Sequence, residues 1–378
     1  METRTLKYSI ILPCYNATAC LSACMDSLFA NDLSDSEIIL VDDGSTDDFA
    51  GWCRGYFACD LEKSETSKTI NWKDATVKII MKANQGVSAA RNTGISYATG
   101  DYVLFVDPDD TVTVDYISTI SQEFFQNDCD FLLLGFYQIW EEEGTAGEPQ
   151  AVLPLRAYNL NSQQEAIKEL LPNFIGESLA SIDHWLYHGV FIPYQEFGAV
   201  WRCAYRRDII ERNGIRFSLD IKLKEDMMFN SEYIAHICTA RSCMKPLYIY
   251  TVRKSGAMRR NRGNTLLANE QALLAERERI CSDLRDRGYD QVSYLWYAAS
   301  NVFSVFGIMR SVDFSMWKEV KRYIKHPTVQ ASIKAAPISL RKPAYFVRIM
   351  LLKLKLHWVL FLCYKIWGWL KTRFHLGK

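Results

Sequence analysis

Two short acidic clusters are the residues of this 378-residue chain that could most directly do chemistry. They are Asp107-Pro108-Asp109-Asp110 and Asp42-Asp43-Gly44-Ser45. Carboxylates two residues apart can jointly hold a hard divalent cation, which prefers oxygen ligands and keeps places for water or phosphate. In the second cluster, a carboxylate could accept a hydrogen bond from a ribose or base, and a glycine lets the backbone approach a ligand. Taken alone, each cluster could equally be a turn or a helix cap.

Both clusters follow a short apolar run, as residues at the carboxyl end of a buried strand do. These runs are Glu37–Val41 and Tyr102–Val106. Other strand-like and helical runs alternate with them, namely Tyr8–Pro13 and Val77–Met81 as strands, and Ala17–Leu28 and Gly86–Tyr97 as helices. This alternation predicts an α/β sheet with right-handed crossovers, in which ligands bind beyond the carboxyl ends of the strands. We therefore expect both clusters to face one crevice that binds a nucleotide and a metal.

The rest of the chain continues this pattern and then becomes helical. Between the second and third strands, Gly51–Ala75 is predicted to be a helix followed by a surface excursion. Further along we predict strands at Phe131–Trp140 and Leu247–Thr251, a loop at Glu141–Gln150, and helices at Ser162–Leu171, Trp201–Gly214 and Glu225–Ile237. From Asn264 onward the sequence is poor in strands, which predicts a C-terminal helical appendage.

Six sequence runs, in this order and spacing, resemble glycosyltransferase family 2, the inverting transferases of GT-A fold. They are YSIILPCYN, VDDGSTDD, NQGVSAARNTGISYATGDYVLFVDPDD, WRCAYRRDIIERNGIRF, KEDMMFN and YIYTVRKSGAM. The resemblance covers roughly residues 6–258 and points to the bacterial surface-polysaccharide type. It implies an α/β fold of the GT-A, or nucleotide-diphospho-sugar transferase, kind: a doubly wound mixed sheet, here with a C-terminal helical appendage.

The resemblance also implies which residues surround the nucleoside of a UDP-sugar, UDP being the family's usual carrier and dTDP and GDP the alternatives. Asp43 would contact the base, with Asp42 or Gly44 shaping its pocket. The residues after the first strand would lie beside the uridine, and a later pair matches the segment that packs over the nucleotide. The implied set is Pro13, Tyr15, Asn16, Asp42, Asp43, Gly44, Asn84 and Arg91.

A second implied group lies around the diphosphate. Asp107 would face the ribose and share the metal, and Asp109 would bind the Mn²⁺ or Mg²⁺ that bridges the diphosphate. Asp110 would contact the donor sugar or a metal-bound water. Tyr250, Arg253 and Ser255 match a loop that closes over the diphosphate, although Arg253 could simply be a solvated charge.

The pair Glu225-Asp226 matches the family's catalytic acidic pair, in which Asp226 is the expected general base. A single base of this kind would take the acceptor's proton during one displacement, which inverts the anomeric centre. The alternative is helix capping, since carboxylates at a helix N-terminus are favoured as anions. Glu225 and Trp201 would border the acceptor, and the alternative for Trp201 is an ordinary core aromatic.

The chain lacks the sequence motifs that are typical of three other enzyme classes. A sugar-nucleotide pyrophosphorylase would carry a G-x-G-T-R type loop after the first strand, and a dinucleotide oxidoreductase would carry G-x-G-x-x-G at that turn. A processive polysaccharide synthase would carry Q-x-x-R-W and several membrane spans. We therefore predict a non-processive hexosyltransferase-type enzyme. A catalytically silent, sugar-nucleotide-binding partner in a glycan-assembly complex remains open as the alternative.

The formal net charge of zero, from 44 basic and 44 acidic side chains, hides two different segments. After Glu319 the chain has thirteen Lys and Arg and no acidic residue, so residues 320–378 carry +13 and the preceding residues carry −13. The 49% apolar content excludes a disordered chain. The eleven scattered cysteines include no C-x-x-C pair, and no secretory leader is recognisable, which together predict reduced thiols in a cytoplasmic protein.

The basic segment is also strongly apolar, and we expect it to associate with an anionic membrane surface. Lys353, Lys355 and Lys365 interrupt residues 343–370, so the longest uncharged run, Leu356–Tyr364, is far below the ~20 residues of a spanning helix. One or two helices in the interface would place Trp358, Trp367 and Trp369 at headgroup level. The alternatives are a helix packed on the catalytic domain and a re-entrant hairpin.

Such a segment suits a membrane-borne acceptor, a glycan or a polyprenyl-linked oligosaccharide, and a peripheral enzyme on the inner face of the cell membrane. It does not suit nucleic acid, because its cations are interleaved with aliphatic and Trp side chains. The predicted domains are a catalytic domain (1–260, with halves 1–110 for the nucleotide and 111–260 for the acceptor), a helical region (261–342) and the tail (343–378).

Overall fold

The computed structural model describes residues 6–61, 65–142, 145–189, 196, 198–253 and 264–374. The chain divides into two compact units. Unit 1 comprises Met1–Ala166, Gly198–Leu219 and Glu225–Gly256, and unit 2 comprises Ile167–Phe197, Asp220–Lys224 and Ala257–Lys378. Two internal segments of residues 1–260, Ile167–Phe197 and Asp220–Lys224, thus belong to unit 2, which also includes the end of that range from Ala257 onward.

The described residues form twelve strands. They are β1 (Tyr8–Cys14), β2 (Ser36–Asp42), β3 (Ser67–Trp72), β4 (Ala75–Met81), β5 (Tyr102–Phe105), β6 (Thr111–Val112), β7 (Phe131–Glu142), β8 (Thr145–Ala146), β9 (Gln150–Val152), β10 (Asn159–Leu160), β11 (Cys203–Arg206) and β12 (Ala240–Val252).

Fourteen α-helices accompany them in the same part of the chain. They are α1 (Thr18–Phe29), α2 (Phe49–Phe57), α3 (Val87–Tyr97), α4 (Tyr116–Asn127), α5 (Gln163–Glu165), α6 (Leu179–His188), α7 (Arg207–Arg212), α8 (Glu225–Ile234), α9 (Asn264–Asp286), α10 (Ala298–Ser311), α11 (Trp317–Ile324), α12 (Pro327–Ala335), α13 (Pro343–Lys353) and α14 (His357–Phe374).

Unit 1 is built around a mixed sheet with the strand order β10-β12-β7-β11-β5-β1-β2-β4-β3. Strands β5, β1, β2 and β4 run parallel, β3 is antiparallel at the edge, and β11 is antiparallel to both of its neighbours, β5 and β7. β1 and β2 are buried along their whole length, as expected of central parallel strands covered on both faces. The predicted doubly wound mixed sheet with C-terminal helices is therefore confirmed.

Side chains from β1 and β2 pack with those of flanking helices to form the core of unit 1. Ile10 and Leu40 from the sheet belong to the same buried cluster as Leu21 of α1 and Phe124 of α4. On the other face, α3 lies against β1 so closely that a Cβ at Gly94 would come within 2.3 Å of the Ile11 Cγ2 atom. This packing fixes the ends of β1, β2 and β5, where the candidate site lies.

Three local predictions were wrong. Cys203–Arg206, predicted within a helix, is strand β11, because its buried side chains fill the gap between β5 and β7. The predicted loop Glu141–Gln150 contains the end of β7, all of β8 and the start of β9. The predicted surface excursion before Ala75 contains β3, an edge strand of exposed and half-buried residues whose backbone pairs with β4.

Unit 2 is helical in its described residues, around the buried α10. Val302, Val305 and Met309 of α10 are buried, and α9, α12 and α14 pack against this helix. All eleven cysteines of the chain are free thiols. Among the helices that the structure describes, none is both long enough and apolar enough to cross a bilayer.

Candidate active site

Asp107 and Asp110, which follow β5, are joined by a buried tyrosine of β12. The Asp107 N–H donates to the Tyr248 hydroxyl oxygen at 3.0 Å, and that hydroxyl donates to Asp110 Oδ2 at 2.9 Å. The Thr251 N–H donates to Asp110 Oδ1 at 2.9 Å. Burial, together with the charges of Asp107 and Asp109, raises the pKa of Asp110 to about 8. Asp110 thus uses both oxygens to fasten β12 to the end of β5.

Asp109 is the open member of this cluster. Its side chain is 53% exposed, and Oδ2 lies 3.0 Å from Arg253 Nη1. The same Nη1 donates to the Asp109 carbonyl oxygen at 2.7 Å, and Arg253 Nε lies 3.1 Å from Glu141 Oε2. Arg253 is therefore a paired cation rather than a solvated one. Partial burial and the charge of Asp107 raise the pKa of Asp109, and Arg253 lowers it in part.

Arg91 of α3 contacts three carboxylates and holds them close together. Its Nη1 atom lies 2.6 Å from Asp226 Oδ1 and 3.5 Å from Glu225 Oε1, and its Nη2 atom lies 3.1 Å from Asp107 Oδ1. The guanidinium is buried and lies over the Phe217 ring, 5.3 Å from its centroid. A forked, always charged donor suits such bridging, because its nitrogen atoms reach several oxygens at once. Arg91 thus contacts acidic side chains, and its predicted place over the nucleotide stays a prediction.

Glu225 and Asp226 occupy the first turn of α8, where the helix dipole favours anions. Besides Arg91, the part of the chain that the structure describes gives Asp226 one further donor, the Val200 N–H, which lies 3.3 Å from Oδ2. Burial raises the pKa of Asp226, and Arg91 lowers it in part; burial and the neighbouring Asp226 charge raise the pKa of Glu225. A carboxylate with a raised pKa that stays 20% exposed is suited to accept a proton.

The second acidic cluster, after β2, is closed by the protein's own donors. Asp43 is buried, and its carboxylate accepts from Lys82 Nζ at 2.5 Å and from the N–H groups of Gln85 and Gly86 at 3.1 and 2.7 Å. Asp42 accepts from the Ser45 N–H at 3.1 Å. Asp43 therefore holds the chain that leads into α3, and its contact with the base stays a prediction.

Gly44 is required by this turn on two counts. Its φ of +70° lies in the left-handed region, and a Cβ there would come within 2.7 Å of the Asn84 backbone nitrogen. The Asn84 side chain itself is exposed. The turn after β2 and the approach to α3 are thus packed backbone against backbone.

Asn16 ties the loop after β1 to the loop after β2. Its Oδ1 atom accepts from the N–H groups of Thr46 and Asp47 at 2.7 and 3.2 Å, and its own N–H donates to Ser45 Oγ at 3.0 Å. Tyr15 beside it is 51% exposed, whereas Pro13 is buried in β1. Of these three predicted nucleoside contacts, Tyr15 and Asn16 are exposed.

Trp201 lies inside an aromatic stack rather than on an open wall. Its ring is stacked between Tyr248, with centroids 4.3 Å apart, and Tyr250, with centroids 5.2 Å apart, and it meets the edge of Phe136 at 5.0 Å. Only 3% of Trp201 is exposed, so it is a core aromatic here. Tyr250, which is partly exposed, forms the outer layer of the stack.

The donor atoms after β5 fit a hard cation of the Mg²⁺ or Mn²⁺ kind. Asp109 and Asp107 are both partly exposed carboxylates, and Asp107 Oδ2 accepts no hydrogen bond from the described residues. Within the described ranges no three His, Cys, Asp or Glu side chains come together as a metal site. Two carboxylates would leave the remaining coordination positions to phosphate and water, as is usual for Mg²⁺. Ser255 lies outside the described residues.

Sequence reasoning missed three residues that build the site: Lys82, Glu141 and Tyr248. Tyr248 stands in the quoted run YIYTVRKSGAM, and its i, i+2 spacing to Tyr250 could have placed both rings on one face of a strand. Glu141 fell in the predicted loop. No sequence signal relates Glu141 to Arg253, because their contact depends on the pairing of β7 with β12.

Known proteins resemble this chain in sequence. Residues 9–191 match the model of Glycosyl transferase family 2. The uncharacterized glycosyltransferase EpsJ of Bacillus subtilis (strain 168) is 34% identical over 242 residues, which cover 64% of this chain and 60% of EpsJ. The uncharacterized glycosyltransferase YibD of Escherichia coli (strain K12) is 27% identical over 292 residues, or 77% of this chain and 75% of YibD. The matched part thus spans less than two thirds of EpsJ.

Solved structures support the fold. S. aureus TarS 1–349 superposes with a TM-score of 0.57 at 18% identity, covering 88% of this chain and 81% of that one. Its complex with UDP-GlcNAc gives a TM-score of 0.55 at 18% identity over 88% of this chain and 82% of that one. The family match and the related sequences agree that residues 9–191 carry the sequence of a glycosyltransferase family 2 domain, and the solved structures show that its fold is of the GT-A type.

Proposed function

We propose that the protein is an inverting, non-processive hexosyltransferase that moves a sugar from UDP to a hydroxyl of a glycan or polyprenyl-linked acceptor in cell-surface polysaccharide synthesis. The observation that carries the proposal is the bridge from Asp226 through Arg91 to Asp107. It ties a partly exposed base to the strand end where the diphosphate of a donor would lie. The solved complex of TarS with UDP-GlcNAc, a protein of the same fold, supports a UDP-sugar as the donor.

In this reaction Asp226 would remove the proton of the acceptor hydroxyl as the hydroxyl attacks the anomeric carbon. Arg91 holds Oδ1, which fixes the carboxylate plane, and each carboxylate oxygen can accept more than one hydrogen bond. General-base assistance of this kind contributes about 10²–10⁴-fold to a rate. The diphosphate would leave from the side of the anomeric carbon opposite to the attacking hydroxyl.

A divalent cation held by Asp109 and Asp107 would neutralise the charge that develops on the leaving diphosphate. Arg253, which pairs with Asp109 at 3.0 Å, would supply a second positive charge there. Glu141 orients this guanidinium through its Nε at 3.1 Å. Asp110 would keep its structural role of holding β12 against the end of β5. The side chains that would face the donor are therefore those of Asp107, Asp109 and Arg253.

We place the enzyme in the cytoplasm, peripherally on the inner face of the cell membrane. The charge of +13 after Glu319 supports this location, since anionic lipid attracts such a segment. A lipid-linked acceptor would then be concentrated on the same surface.

The test is a screen of UDP-, dTDP- and GDP-sugars with Mn²⁺ by thermal shift, followed by hydrolysis and transfer assays on the sugars that stabilise the protein. We expect one UDP-hexose to raise the melting temperature and to be turned over, with loss of both effects when the cation is chelated. A protein that binds a sugar nucleotide and never turns it over, with any glycan or polyprenyl acceptor, would be the silent partner instead.

A further inference from the structure

The helix α14 of unit 2 is anchored by one side only. Leu360 and Phe361 are buried, and the Phe361 ring stacks on Trp317 with centroids 5.0 Å apart. The helix also packs against α10 and α13 of the same unit. One face of α14 therefore belongs to the protein core, and the helix cannot be surrounded by lipid.

The opposite face of α14 is exposed and carries no charge over nearly four turns. Lys365, the one charged residue between His357 and Leu370, is turned inward: its Nζ atom donates to the Val312 carbonyl oxygen and lies 5.0 Å from the Phe361 ring centroid. The exposed residues of this stretch are Trp358, Val359, Leu362, Cys363, Ile366, Trp367, Gly368 and Trp369. Exposed apolar surface of this extent is unusual for a soluble protein and marks an interaction site.

Cations flank this apolar face, and the acidic side chain that acts on Lys365, Asp313, lies within residues 312–317, which contact the buried side of the helix. Arg348 of α13, Lys355 in the turn between the helices and Arg373 near the end of α14 are all exposed. Exposed apolar side chains, Leu354 and Leu356, lie beside Lys355 in the same turn. Because no acidic residue follows Glu319, the whole surface built by these helices matches a negatively charged partner that also offers an apolar layer.

We propose that the exposed face of α14 lies in the interface of an anionic lipid bilayer, with the helix axis parallel to the membrane plane. This face presents Val359, Leu362, Ile366 and Trp369 at i, i+3, i+7 and i+10. A face of this kind enters about 5–10 Å into the headgroup and acyl boundary, with tryptophan rings at headgroup level and cations near the phosphates. The inference deepens the membrane partner proposed above. It rests on unit 2 alone, so it can fail or hold independently of sugar transfer.

The experiment measures binding of the full chain to vesicles of phosphatidylcholine mixed with phosphatidylglycerol, and to vesicles of phosphatidylcholine alone, by flotation. We expect binding to the mixed vesicles that weakens as salt rises. Ile366→Glu and Trp367→Glu should each reduce it by roughly tenfold or more, because they place a charge on the embedded face. Lys355→Gln should reduce it about fivefold, the effect of one cation near an anionic surface.

Matched controls lie in unit 1. Phe125→Glu changes an aromatic residue that is also strongly exposed, and Lys7→Gln removes an exposed cation; neither should alter vesicle binding. Hydrolysis of the UDP-sugar without vesicles, measured on every variant, reports the catalytic function separately and should be unchanged. Equal binding by wild type and Ile366→Glu overturns the proposal. The proposal is also overturned if neither the wild type nor any variant binds vesicles, while the wild type forms a dimer in solution that Ile366→Glu dissociates.

Discussion

The ends of β2 and β5 carry the same kind of side chain and differ in what those side chains contact. After β2, the buried Asp43 carboxylate accepts from a lysine and from two backbone N–H groups. After β5, the Asp109 carboxylate is half exposed and contacts Arg253. A carboxylate that is fully satisfied inside the protein stabilises a loop, whereas a partly exposed one keeps lone pairs for a ligand.

Asp226 lies between these two cases. Arg91 binds one of its oxygens, a backbone N–H approaches the other, and the side chain remains 20% exposed. It is therefore held in place without being closed off. Acidic residues at strand and helix ends can thus be ranked by how many donors the protein already supplies, and that ranking separates structural from reactive carboxylates.

The largest effect is expected from Asp226→Asn, which keeps the shape of the proposed base and removes its ability to take a proton. The kcat for transfer should fall by about 10²–10⁴-fold, and calorimetric titration with UDP and Mn²⁺ should show unchanged affinity. Asp208→Asn on α7, an exposed acid paired with Arg212, is the matched control and should retain full activity. Intact transfer by Asp226→Asn would remove the base assignment.

The next largest effect is expected from Arg91→Lys, which keeps the charge and loses the fork that reaches Asp226 and Asp107 together. A displaced base should lower kcat by about a hundredfold, with little change in KM for the donor. Since Arg91 lowers the pKa of Asp226, its weaker replacement should also move the acid limb of the pH–rate profile to higher pH. A changed melting temperature with an unchanged pH profile would mean that Arg91 has a structural role only.

The sequence predicts the central parallel strands because β1, β2, β4 and β5 are short apolar runs that end in polar turns. It does not predict β11, because four residues acquire their strand geometry from two long-range neighbours, β5 and β7. The same limit applies to the site. Asp226 and Arg91 are recognisable by motif, yet their contact joins positions 135 residues apart and depends on how α3 and α8 pack.

A direct test of the comparison is the pair Asp43→Ala and Asp109→Ala, the same change at a closed and at an open carboxylate. Asp43→Ala leaves buried donors without a partner and should lower the free energy of unfolding by about 1–3 kcal/mol. Asp109→Ala should leave stability unchanged and abolish Mn²⁺-dependent donor binding. Urea unfolding and calorimetric titration measure the two properties. The distinction fails if both variants lose the same property.

A smaller effect, with a pH signature, is expected from Glu37→Gln at the start of β2. Burial raises the pKa of Glu37, but hydrogen bonds from Lys78, Ser9 and Thr99 outweigh it and lower the pKa overall. Its stabilising contribution is therefore complete above the ordinary carboxyl pKa and is lost as pH falls through the lowered folded value. Urea unfolding across the acid range should show a shallower pH dependence in Glu37→Gln than in wild type, and Glu211→Gln, a half-exposed acid, should leave the dependence unchanged.

The smallest effect, and the one most specific to the open strand end, is expected from Arg253→Ala. Arg253 occupies Asp109 in the structure, so a cation must compete with it, and its removal should tighten Mn²⁺ binding without nucleotide by up to about fivefold, the scale of an exposed ion pair. The same variant should weaken UDP binding in the presence of Mn²⁺, because it lacks the second positive charge for the diphosphate. Glu141→Gln removes the charge of the other partner of Arg253, and it should change the Mn²⁺ affinity and the UDP affinity only slightly. Opposite signs for metal and nucleotide are the diagnostic result, because loss of folding or of general charge would move both affinities in one direction. Weaker Mn²⁺ binding by Arg253→Ala would show that Arg253 does not compete with a cation for Asp109.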